Sequence, residues 1–161
     1  IVAERFDAGV RLGETLEQDM VVMRIGPRLR MATVGSPGYL ARHGVPKAPQ
    51  DLAAHSCINL RMVSGRIYAW EYEKDGREVN IKVDGQLVLN DADLIVSAAI
   101  AGRGLAHLVE DRLTPLIENG SLVRVLDDWC EPFDGYYLYY PSRRLHSEAF
   151  KLFLDALRYR D

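Results

Sequence analysis

Cysteine is scarce: Cys57 and Cys130 are the only two. Two lone thiols in a chain of this size are expected to be free thiols of a reducing cytoplasm rather than a disulfide. Long apolar runs are also missing. None approaches the ~20 residues a membrane-spanning helix needs, so no membrane partner is expected. No charge dominates: 20 Lys and Arg stand against 23 Asp and Glu, a net charge of −3. That balance leaves no footprint for nucleic acid. No signal peptide is expected within the first stretch, which carries Glu4, Arg5, Asp7 and Arg11 among its charges. The chain opens on Ile1-Val2-Ala3-Glu4 without Met, as a segment from within a longer protein would.

Catalytic and metal motifs are absent as well. His43, His55, His107 and His146 show no H-x-x-x-H or Cys/His spacing that would hold a metal. There is no G-x-S-x-G, no P-loop and no G-x-G-x-x-G. Gly102-Arg103-Gly104 lies after a predicted helix, the wrong side for a dinucleotide fingerprint, and reads as a helix C-cap and tight turn. Cys57 and His55 are two apart on a turn, which makes no Cys–His dyad. No enzyme activity, cofactor or metal is expected.

What is present is an alternation of short strands and helices. Ala8–Leu12 and Val21–Ile25 read as strands, the first ended by Gly13 and the second by Gly26-Pro27. Met31–Val34 is a third, stopped by Gly35-Ser36-Pro37 and followed by a helical turn at Tyr39–Arg42. Strands are expected at Cys57–Arg61 and Gln86–Leu89. Lys74-Asp75-Gly76 joins a hairpin whose Tyr68, Trp70 and Tyr72 share one face. Asn90 is placed as N-cap of a helix running to Gly102, with Leu94, Ile95, Ala98 and Ala99 as its apolar face. Leu105–Val109 and Leu122–Leu126 read as strands, with Thr114-Pro115 starting a short helix between them. Gly135–Tyr140 fits a strand covered on both faces. Ser147 caps a last helix with its core stripe on Phe150, Phe153, Leu154 and Leu157. The alternation predicts an α/β fold with a mostly parallel sheet and one antiparallel hairpin.

The polar residues in this pattern point to binding. Arg11, at the carboxyl end of the first strand, is either a bidentate carboxylate holder or half of a surface ion pair. Asn90 offers a helix N-terminus beside a cleft, or only a cap. His107, inside Leu105-Ala106-His107-Leu108, is a satisfied core histidine or a polar group facing a cleft. Asn59 and Arg61 alternate out of their strand toward solvent or ligand.

In order, FDAGVRLGE (6–14), LRMATVGSPGYLARHGVPKAPQDLAAHSCI (29–58), LVLNDADLIVSAAIAGRGLAHL (87–108), NGSLVRVLDDW (119–129) and YLYYPSRRLHSEAFKLFLDAL (137–157) cover nearly the whole chain. Together they resemble the effector-binding domain of LysR-type transcriptional regulators, and the hairpin WEYEKDGREVNIKV suits one large subgroup of that family. The resemblance implies two Rossmann-like α/β lobes joined by two crossing strands, like a type 2 periplasmic binding protein. Lobe I would comprise residues 1–35 and 124–161, and lobe II residues 36–123. The family's winged helix-turn-helix, its linker helix and the first strand and helix of lobe I have no counterpart, which implies an N-terminally truncated effector domain.

The same resemblance implies a small effector between the lobes, with contacts from Arg11, Ser36, Asn59, Arg61, Asn90 and His107. A small carboxylate suits the two arginines. It further implies a homodimer or tetramer, and DNA contact only through the missing N-terminal domain. A free-standing solute-binding protein of the same fold is the alternative.

Overall fold

The computed structural model describes residues 6–12, 19–142 and 147–160. In chain order its strands and helices are β1 (Gly9–Leu12), β2 (Met20–Arg24), β3 (Met31–Gly35), α1 (Pro37–His43), β4 (Asn59–Leu60), β5 (Trp70–Lys74), β6 (Arg77–Ile81), β7 (Val88–Leu89), α2 (Ala92–Ile100), β8 (Ala106–Val109), α3 (Glu110–Glu118), β9 (Val123–Val125), β10 (Tyr136–Pro141) and α4 (Glu148–Leu157). Short 3-10 turns at Pro49–Ala54 and Asp127–Trp129 complete the set. The expected stop at Gly13 and His146 lie outside the described residues.

The chain divides into two compact units, residues 1–29 with 132–161, and residues 30–131. These divisions fall outside the 36–123 span expected for the inner lobe. They place β3 and β9 together in the inner unit, as paired strands.

In the first unit β10 is the middle strand of the order β1-β10-β2, and both pairings are antiparallel. Its run of Tyr137, Leu138 and Tyr139 is buried, as a strand covered on both faces requires. Gly135 is required just before it, because a Cβ there would come within 2.1 Å of the Pro27 carbonyl. Ser147 caps α4 through a bond from the Phe150 amide. The expected core stripe of α4 is corrected: Phe150, Leu154 and Leu157 are half-buried and Phe153 is exposed. Helical periodicity records a preferred face; burial depends on what covers it.

The inner unit is built on β3, whose Ala32, Thr33 and Val34 are fully buried. β8 and β9 flank it, both antiparallel. β4 joins this sheet through a parallel bridge between Cys57 and Leu105, and β7 runs parallel to β4. The resulting order is β7-β4-β8-β3-β9. The expected mostly parallel sheet is therefore corrected. β8 leads directly into α3 and the chain returns as β9, so both neighbours of β3 oppose it.

Alternation then assigns the two faces. Ala32, Val34, Ile58, Ala106 and Leu108 meet Ile95 and Ala99 of α2 and Leu113 of α3. Cys57, Leu105 and Val125 meet α1 and the aromatic hairpin β5–β6, where Trp70 and Tyr72 are buried. The Asp75-Gly76 turn of that hairpin has positive φ at both residues, as a tight hairpin of right-handed twist demands.

Two further local expectations are corrected. Asp91, not Asn90, is the N-cap of α2: its Oδ1 accepts from the amides of Asp93 and Leu94 at 2.9 and 3.0 Å. Leu94, expected on the apolar face, is exposed, and Ile95 and Ala99 carry the buried face against the sheet. Thr114-Pro115 lies inside α3 rather than at its start. The Thr114 hydroxyl donates to the Glu110 carbonyl at 2.9 Å, supplying an extra bond in the turn next to the proline.

Candidate functional site

Of the six residues expected to hold a ligand, Arg11 stands in the first unit and the other five in the inner unit. Arg11 is exposed on β1, opposite Tyr137, with its guanidinium carbon 5.6 Å from the Tyr139 ring centroid. Part of its polarity is thus spent on an aromatic face.

Ser36 is buried and caps α1; its hydroxyl accepts from the Tyr39 amide at 3.2 Å. It also lies beside Gly102, where a Cβ would stand 3.2 Å from the hydroxyl. Gly102 follows α2 with φ +71°, the left-handed position that glycine fills without strain. Arg61 is exposed and donates to the Gly65 carbonyl at 2.9 Å. Asn90 is exposed and precedes the true cap.

Asn59 and His107 form the informative pair. Both are polar and buried, at 5% and 3% exposure. Asn59 Nδ2 donates to the Val83 carbonyl at 3.2 Å. His107 sits under the hairpin, its ring stacked on Trp70 at 5.2 Å and tilted against Tyr72 at 4.9 Å between centroids. Its Nδ1 is 2.9 Å from the Thr33 hydroxyl, which is also 2.8 Å from the Tyr72 hydroxyl. Asn59 Oδ1 and His107 Nε2 are buried and make no well-directed hydrogen bond on the protein; the Glu71 backbone is the group that the His107 ring approaches. Asn59 and Arg61, expected on one surface, thus part company: one is enclosed and the other is in solvent.

Burial sets the electrostatics here. It pushes the His107 imidazole down to about 3, opposed by hydrogen bonding to the Glu71 backbone. It pushes the Tyr72 hydroxyl well up, and the thiols of Cys57 and Cys130 up to about 12 and about 11. All four groups are neutral at pH 7. Thiols of that basicity are poor nucleophiles. The site offers neutral hydrogen-bonding groups and aromatic surface, and no activated base. Among the described residues, no group of three or more His, Cys, Asp or Glu is placed to hold a metal ion. No described helix is long and apolar enough to cross a membrane.

Thr33 and Tyr72 are the members that sequence reasoning missed. The signal for Tyr72 was its shared face with Tyr68 and Trp70. Thr33 carried only its strand register, which sets it opposite His107.

Residues 1–161 match the family described as LysR substrate binding domain. A putative transcriptional regulator of Pseudomonas aeruginosa is 56% identical over 99% of this chain and 52% of its own length. The HTH-type transcriptional regulator PgrR of Escherichia coli is 48% identical over 99% of this chain and 54% of its own. The chain spans about half the length of these curated relatives. Among solved structures, the regulatory domain of a C227S variant of AphB from Vibrio vulnificus superposes with a TM-score of 0.78 at 26% identity, covering 96% of this chain and 78% of that one. Full-length AphB of Vibrio cholerae gives 0.79 at 26% identity, covering 96% and 52%. The chain belongs to the LysR substrate-binding-domain family.

Proposed function

We propose that this chain is the ligand-sensing regulatory domain of a LysR-type transcriptional regulator. A small effector binds between two lobes, and its binding shifts the arrangement of a homodimer or tetramer in the cytoplasm. The signal passes to a winged helix-turn-helix that lies outside these residues. Family membership over the whole chain, among relatives named as regulators, is the observation that carries this reading.

Arg11, Ser36, Asn59, Arg61, Asn90 and His107 are the proposed effector contacts, with lobe II spanning about 36–123. Support differs between them. Asn59 and His107 present unpartnered buried atoms. Ser36 and Arg61 already spend a hydrogen bond on the backbone. The effector can move the equilibrium only by its difference in affinity for the two arrangements. A coupling of ~1–3 kcal/mol, roughly 5–150-fold in operator affinity, is the usual range.

Thermal-shift screening of the full-length regulator against small organic acids and hydroxylated compounds tests the proposal. A hit should raise the melting temperature and change operator affinity in the same concentration range. Arg11→Ala should weaken a carboxylate hit. A regulator whose operator binding ignores every compound that stabilises it would overturn the sensing role.

A further inference from the structure

The sheet of the inner unit opens between β4 and β8. The two strands share one parallel bridge, Cys57–Leu105, closed by bonds from the Ile58 amide to the Leu105 carbonyl and from the Leu105 amide to the Ser56 carbonyl, both 2.9 Å. Past it, toward the carboxyl end of each strand, the pairing stops. β4 bonds instead to β7, and the Leu60 carbonyl accepts from the Tyr68 amide at 2.9 Å. Asn59 and His107 each stand two residues beyond the bridge. Strand alternation therefore sends both side chains out on the Cys57–Leu105 face. Their contacts agree: Asn59 bonds to Val83, His107 packs on Trp70 and Tyr72, and Val83, Trp70 and Tyr72 form one cluster with Cys57 and Leu105.

Hydrogen-bond polarity fixes what each group can offer. The Thr33 hydroxyl is the one partner of the Tyr72 hydroxyl among the described residues. Tyr72 satisfies its proton only by donating to Thr33. With the Thr33 proton given to His107 Nδ1 rather than to the neighbouring Cys130 sulfur, the imidazole carries its proton on Nε2. Asn59 already uses Nδ2 as a donor to Val83, which leaves Oδ1 as an acceptor. A buried donor and a buried acceptor thus stand at matching positions on adjacent, unpaired strand ends. Each unmet group costs about 1–3 kcal/mol. A single hydroxyl oxygen between them would satisfy both, because it accepts and donates at once.

We infer that Asn59 and His107 form a site for one uncharged hydroxyl group, His107 Nε2–H donating to it and Asn59 Oδ1 accepting from it. A carboxylate does not fit, since Asn59 Oδ1 would face a second acceptor. The oxygen comes from an internal water or from an alcohol group of the effector. The second source rests on the regulatory-domain reading; the first does not. In the effector case, recognition at this end is for an alcohol, and carboxylate recognition falls to Arg11 or Arg61.

Crystal structures of the full-length regulator test this. Without additive, an oxygen should lie about 2.6–3.2 Å from both atoms. In ethylene glycol an alcohol oxygen should take that place if the site admits ligand, whereas retention of the water identifies a solvent site; either places a hydroxyl there. Sodium acetate at equal concentration should leave the oxygen undisturbed. Asn59→Leu should lose the oxygen, and His107→Gln, which keeps an amide donor, should retain it. A dry site with the His107 ring turned onto the Glu71 carbonyl would overturn the inference, and so would acetate bound to both residues. These readouts need no effector, so a failed effector screen and a failed site are separate results.

Discussion

The Thr33 hydroxyl lies 2.9 Å from His107 Nδ1, at the centre of a buried Tyr72–Thr33–His107 chain. Thr33→Val keeps the shape and β-branching of the side chain and removes the hydroxyl. The Tyr72 hydroxyl and His107 Nδ1 would both lose their partner inside the core. The expected cost is about 1–3 kcal/mol for each group left unmet, measured as a lower urea midpoint with an unchanged m-value. Thr33→Ser should recover most of it. A Thr33→Val protein as stable as its parent would show that the chain carries no net energy.

The same burial makes stability depend on pH. The His107 imidazole is held at about 3 in the folded protein, against about 6.5 in an unfolded chain. The unfolded state therefore takes the proton first. The contribution of neutral His107 is complete above about pH 6.5 and is lost as pH falls from there toward 3. This one group sets a limiting slope of about 1.4 kcal/mol per pH unit. Urea unfolding at pH 7, 6 and 5 should show it, and His107→Gln should flatten the curve by that amount. Equal slopes in the two proteins would assign the pH dependence to other groups.

Much of this fold was legible in the sequence because its signals are local. Asp75-Gly76, Ser147 and Gly102 each set a turn or a cap by chemistry local to the chain, and each is found in that role. Strand direction was not legible. Nothing within Leu105–Val109 or Leu122–Leu126 says that both run against β3, because pairing is a contact across the chain. The site was half legible for the same reason. Asn59 and His107 could be singled out as polar residues in apolar strands. That Thr33 and Tyr72 complete the network depends on register and on where the hairpin folds back. The sequence cannot separate Asn90 from Asp91 as the cap because Asn and Asp cap equally well and stand side by side; one residue of slip decides between them.

That slip gives a direct comparison. Asp91→Ala removes an acceptor from the amides of Asp93 and Leu94 and should cost about 0.5–2 kcal/mol. Asn90→Ala touches neither bond and should fall within about 0.5 kcal/mol of the parent, as exposed substitutions do. Thermal midpoints of the two variants settle the order. A larger loss at Asn90 would assign it a role outside the cap.

Gly85 tests the coupling between a surface turn and the buried pair. A Cβ at this position would stand 1.9 Å from the Cys57 carbonyl oxygen and 2.7 Å from its amide nitrogen. Both are backbone atoms, so no rotamer change relieves the clash. The Cys57 amide also donates to the Asp84 carbonyl at 2.9 Å, which ties the two segments together. Gly85→Ala must therefore displace Cys57, and with it the bridge to Leu105 that aligns Asn59 with His107. Overpacking of this kind costs about 1–3 kcal/mol. Gly26→Ala is the control: a Cβ there meets nothing within 4 Å, and its φ lies outside the left-handed region, so alanine should leave stability unchanged or raise it by about 0.4–1 kcal/mol. Gly85→Ala should also weaken any ligand held at Asn59 and His107, while Gly26→Ala should not. If the two variants melt together, the close approach of residue 85 to Cys57 is not a constraint on the fold.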